Sequence, residues 1–242
     1  MKNVFLWGAA TSSYQVEGGI RNDWSEAGFD AGKADDHYNR FKEDFDLAKS
    51  LGHNAHRFSI EWSRIEPEEG KFNEKEIEHY QKVVEALRDR DLEPFVTLWH
   101  FTNPIWFSKI GGFKNKKSVF YFERYVDFVT KNLKGVNFWI TINEPMVYAA
   151  NAYWRGIWPP GKQSPVNYFR VIKNLIRAHK IAHRTIHKNI SNAKAGIAKN
   201  IIYFDGTESR WQIIKRAADY WWNNYFLNKI SSHQDFLGLN YY

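Results

Sequence analysis

Short apolar or β-branched runs alternate along the chain with longer stretches in which apolar residues recur every three or four positions. The runs VFLWGA (4–9), AHRFSI (55–60), PFVTLW (94–99), FWITIN (138–143), KAGIAKN (194–200) and DFLGLNYY (235–242) read as strands. Between them NRFKEDFDLAKSL (39–51), KEIEHYQKVVEALRDR (75–90) and VFYFERYVDFVTKNL (119–133) predict amphipathic helices. Alternation of this kind implies parallel strands joined by helical crossovers. Strands apolar on both faces fit either a closed barrel or a doubly wound sheet. The glycine-containing stretch GAATSSYQVEGG (8–19) has neither the dinucleotide nor the P-loop spacing, which favours the barrel.

Polar residues gather where four of these runs end: Arg57, Ser59 and Glu61; Trp99 and His100; Asn143 and Glu144; Asn240 and Tyr242. In a (β/α) barrel those ends meet at one rim, where active sites are built. A carboxyl group on a rim of Trp, Tyr, His and Asn suits acid and base chemistry on a hydroxyl-rich substrate.

Composition narrows the alternatives. Hydrophobic residues are 43% and charged residues 25% of the 242, with no low-complexity linker, so a single domain over 1–242 is expected. The absence of cysteine excludes disulfides, thiolate metal sites and thiol catalysis. The net charge of +7 is dispersed, and its densest cluster, KNKK (114–117), reads as a solvated loop rather than a nucleic-acid surface. No run approaches the roughly 20 apolar residues of a membrane span. The apolar N-terminal stretch reads as a first strand rather than a signal peptide, and a cytoplasmic location is expected. In HKIAHRTIH (179–187) three histidines stand four apart, but without the Glu of the zinc-protease pattern and among many cations. That segment reads as a solvated outer helix, with no metal and no cofactor expected.

GAATSSYQVEGG, HRFSIEWSRIEPEEGKFN (56–73), TLWHF (97–101), TINEP (141–145) and DFLGLNYY, in this order and spacing, resemble glycoside hydrolase family 1, the β-glucosidase and β-galactosidase family. The resemblance runs from about residue 4 to residue 242. It implies a (β/α)8 TIM-type barrel and retaining hydrolysis of a small β-glycoside or oligosaccharide. Glu144 is carried over as the general acid/base and Asn143 as the residue that hydrogen-bonds the sugar 2-hydroxyl. Gln15 and His100 match positions holding the 3- and 4-hydroxyls, Arg57 and Tyr242 match groups that orient the nucleophile, and Asn240 belongs to the same substrate-binding rim. Read without the resemblance, Arg57 pairs with Glu61, His100 is a core imidazole and Tyr242 is packing. Met146 departs from the family, in which many members carry at that position a Trp that stacks on the leaving group.

A second departure is larger. Retaining hydrolysis needs two carboxylates about 5 to 5.5 Å apart, and in the family the nucleophile is a Glu at the end of strand seven, whereas six of the eight strands are visible here. Glu61 and Glu66 are not assigned that role by the resemblance, and Glu61 is expected to partner Arg57 or Arg64. The expectation is therefore an N-terminal portion truncated after strand six, inactive alone and completed by a C-terminal segment. A non-catalytic carbohydrate-binding barrel and a 6-phospho-β-glycosidase are the alternatives.

Overall fold

The computed structural model describes residues 5–205 and 211–242. Six strands, β1 Gly8–Ala10, β2 Ala55–Ser59, β3 Glu93–Thr97, β4 Phe138–Asn143, β5 Lys194–Asn200 and β6 Phe236–Asn240, form one sheet in the order β1-β2-β3-β4-β5-β6. Every pairing is parallel. A doubly wound sheet reverses its strand order at a switch point, and this one does not.

Ring contacts show that the sheet curls. Phe95 on β3 stacks on Phe138 of β4 at 4.4 Å between centroids. Phe236 on β6 meets Phe95 edge-on at 6.3 Å. Strands three places apart in a flat sheet lie roughly 14 Å from one another, so only a sheet bent toward a barrel brings those rings together. Among the described residues β1 and β6 do not pair, and the barrel is open between them. Gly196 on β5 is required by this packing, because a β-carbon there would lie 2.1 Å from the carbonyl oxygen of Phe236.

The first strand is shorter than its apolar run. Residue 4 of that run lies outside the described residues, Phe5 and Trp7 are exposed, and pairing with β2 begins at Gly8. Trp7 is instead tied to the turn before β2, its backbone N–H donating to Asn54 Oδ1 at 2.6 Å.

Helices α1 His37–Ser50, α2 Glu74–Arg88, α3 Ser118–Asn132 and α4 Pro165–Asn189 cross between successive strands, and the pair α5 Gln212–Asp219 and α6 Tyr225–Ile230 leads into β6. In α2, Asn73 caps the N-terminus, Glu74 and Glu76 sit in the first turn and Arg88 in the last, all favourable to the helix dipole. Its buried stripe of Ile77, Tyr80, Val84 and Leu87 follows the helical repeat. Full burial of one such apolar side chain contributes about 1.5–3 kcal/mol. Helix α4 starts at Pro165 behind the cap Ser164, whose Oγ accepts from the Asn167 N–H. It is not the solvated outer helix of the sequence reading. Tyr168, Val171, Ile172, Leu175, His179, Ala182 and Ile186 bury one face of it. Among the described residues no helix is long and apolar enough to cross a membrane.

Candidate active site

The segment from Trp139 to Met146 changes conformation three times in a few residues. From Ile140 to Asn143 on β4 the pairing partners advance only from Gly196 to Ala198 on β5, so β4 carries one extra residue. A bulge of this kind bends the strand and re-aims the side chain beyond it. Glu144 follows in the left-handed region, at φ 43° and ψ 61°. That region costs a residue with a β-carbon roughly 1–3 kcal/mol, and here the Glu144 N–H is held on Ala198 O at 2.7 Å. Pro145 is then the first residue of the short helix Pro145–Ala149, where its missing donor is no loss. The chain thus stops pairing, turns sharply at the carboxylate and re-enters a helix.

Two hydrogen-bonded groups meet at the Asn143–Glu144 peptide. In the first, Arg57 from β2 donates to Asn143 Oδ1 at 2.5 Å and to Thr97 Oγ1 at 2.9 Å, while Asn143 Nδ2 donates to His100 Nε2 at 3.3 Å. Burial lowers the Arg57 pKa to about 10, against the pull of the Glu144 charge, so the guanidinium stays cationic at neutral pH. Burial first, and then the Arg57 charge, lower that of His100 to about 3. His100 is therefore neutral, as its acceptor role toward Asn143 requires. Asn143 is only 2% exposed, and its amide retains one further donor and one further acceptor position for a ligand.

In the second group, Glu144 Oε1 accepts from Asn240 Nδ2 at 2.7 Å and from the Tyr242 hydroxyl at 3.3 Å. Glu144 is 6% exposed, whereas Tyr242 is 92% exposed. Among the described residues both hydrogen-bond partners of this carboxylate are neutral. Asn240 sits in register with Asn200 of β5, which accepts from the Trp222 indole at 3.0 Å. Gln15 lies in the helical turn Ser13–Val16 after β1, exposed, its Oε1 accepting from Ser12 Oγ at 2.8 Å. It is hydrogen-bonded to neither group.

Several sequence expectations are corrected. Glu61 pairs with neither Arg57 nor Arg64. It is fully buried and accepts from Ser13 Oγ at 3.1 Å, Ser63 Oγ at 2.7 Å, Thr102 Oγ1 at 3.0 Å and Asn22 Nδ2 at 3.5 Å. Arg64 is taken by Glu17 at 3.0 Å, and Glu66 by Arg124 and the Trp62 indole. Trp99 is a core residue, its indole donating to Asn103 Oδ1 at 3.1 Å. Met146 is buried in the core rather than open to the rim. Lys199 was not singled out by the sequence, yet it is fully buried beside the site. Its ammonium donates to the Asn200 carbonyl and lies 5.5 Å from the Trp222 ring centre. Burial lowers its pKa to about 8, with Glu144 opposing. A lysine in a β-rich run reads as a polar face, and no local signal marks it as buried.

The family described as Glycosyl hydrolase family 1 matches residues 1–240. The chain is similar to a 1,4-beta-D-glucan glucohydrolase of Thermotoga neapolitana, with 35% identity over 93% of this chain and 58% of the relative. Among solved structures it is similar to a beta-glycosidase from Pyrococcus horikoshii, with TM-score 0.93 and 39% identity, covering 100% of this chain and 62% of that one. It is also similar to a family 1 b-glucosidase from Thermotoga maritima in complex with isofagomine lactam, with TM-score 0.89 and 31% identity, covering 98% of this chain and 65% of that one. The chain thus spans little more than half the length of the curated relative and under two thirds of each solved one.

Proposed function

The chain belongs to glycosyl hydrolase family 1, and from that membership we propose that it supplies the acid/base half of a retaining β-glycosidase, with Glu144 as the proton donor. The observation that carries this reading is the placement of Glu144, at a strained turn beyond a bulge, with Asn240 and Tyr242 holding one carboxylate oxygen. Strain at a polar strand end is characteristic of a site that must aim one side chain. Protonated, Glu144 gives its proton to the leaving oxygen of a β-glucoside. Ionised, it takes one from the water that releases the sugar.

Asn143 binds the sugar with the amide positions left over from Arg57 and His100, and His100, Gln15 and Asn240 complete the rim. The second carboxylate comes from a segment beyond this chain. The buried Arg57 cation and the Tyr242 hydroxyl are the groups that would orient it, since a fixed positive charge favours the ionised form of a neighbouring acid.

The test is turnover of nitrophenyl β-glucoside by the 242-residue chain, alone and mixed with a segment continuing the family barrel. Negligible hydrolysis alone and hydrolysis on mixing are expected. Full turnover by the chain alone refutes the two-part reading, and sugar binding without turnover in the mixture makes the barrel a carbohydrate binder instead.

A further inference from the structure

At the far end of the sheet from Glu144, α4 passes over the turn that starts β6. His183 and His187 stand four residues apart on α4, which places both imidazoles on one helical face. Asp235, the residue before β6, rises between them. The His187 Nε2–H donates to Asp235 Oδ2 at 2.8 Å, and His183 Nε2 lies 3.6 Å from the same oxygen. One donor atom from each of the three residues lies within 4.8 Å of the others. The sequence reading lacked a carboxylate for these histidines, because Asp235 is about fifty residues away along the chain and only the docking of β6 beside β5 delivers it.

The neighbouring histidines are committed elsewhere. His179 engages Thr141 Oγ1 through Nδ1 at 2.7 Å and His233 O through Nε2 at 2.6 Å. His233 engages Ser232 Oγ at 2.9 Å and accepts from Arg184 Nε at 3.2 Å. His183 Nε2 differs, being sealed from solvent with no partner within hydrogen-bond distance and only the long 3.6 Å approach to Asp235 Oδ2. A buried polar atom of that kind costs free energy unless something binds it.

We propose that His183, His187 and Asp235 form a binding site for a divalent transition-metal ion. Two imidazole nitrogens and one carboxylate oxygen suit zinc, cobalt or nickel better than magnesium or calcium, which prefer all-oxygen sites. Binding replaces the His187–Asp235 hydrogen bond, the His187 proton moving to Nδ1 or to solvent, and gives the His183 nitrogen a close partner. Three protein ligands leave further coordination positions to water, so the affinity is that of an open site rather than a closed structural one. The ion joins α4 to the residue leading into β6, the strand whose other end presents Asn240 to Glu144. Metal binding therefore holds that strand in place, and it can be measured without hydrolysis.

The chain, stripped with chelator, is titrated at neutral pH with cobalt(II), read by visible absorption, and with zinc(II), read by calorimetry and thermal melting. One equivalent bound and a raised Tm are expected. His187→Ala, whose fold is checked by far-UV circular dichroism, weakens binding at least about tenfold and abolishes the Tm rise. Asp235→Asn does the same while retaining an acceptor for the Ala195 N–H, which donates to Asp235 Oδ2 at 2.7 Å, and His53→Ala, on the α1–β2 turn, changes neither reading. Absence of binding at stoichiometric metal, or an affinity in His187→Ala and Asp235→Asn equal to that of the unsubstituted chain, overturns the site.

Discussion

At His100 burial and the Arg57 guanidinium act in the same direction, pushing the imidazole down to about 3 and leaving its Nε2 free to accept from Asn143. An ordinary histidine is half protonated near pH 6.5. The His100 ring signals are therefore expected to stay constant between about pH 5 and 8 in an NMR titration, and a midpoint near the ordinary value would contradict the buried, neutral acceptor. At this scale the sequence identified which residues stand at strand ends but not their partners. Arg57 could be matched with Glu61 on proximity in sequence. Its actual acceptor, Asn143, lies two strands away and becomes a neighbour only when the sheet bends. Glu61 is satisfied by three hydroxyls and an amide, a solution that charge matching does not anticipate.

Elements were legible where their pattern is local. The three helices read from periodicity agree with α1, α2 and α3 to within two residues, and the later strands fall close to their apolar runs, because period and capping are properties of adjacent residues. What escaped depends on neighbours in space: the shortened β1, the bulge in β4 and the division of the α4 histidines into one core residue and two that face Asp235. The cap of α4 allows a quantitative check. Ser164→Ala removes the acceptor for the Asn167 N–H and is expected to lower stability by about 1 kcal/mol in urea unfolding, with Pro165 still fixing the first turn. No change would mean that Pro165 and the buried stripe set the helix start unaided.

Across the whole molecule, strand order, ring contacts and the polar ends of β2, β4 and β6 describe a barrel whose apolar filling lies toward the strand starts and whose chemistry lies at their ends. The order of motifs made this architecture readable. The second carboxylate of the proposed mechanism is not readable from it, since the chain spans little more than half of its curated relative. The central claim is that Glu144 protonates the leaving group. It is tested most directly by kcat/KM of Glu144→Gln in the completed enzyme, on cellobiose and on dinitrophenyl β-glucoside, whose leaving group departs without a proton. A loss of about 10²–10⁴ on cellobiose with little loss on the activated glucoside is predicted, and equal losses on both substrates would contradict it.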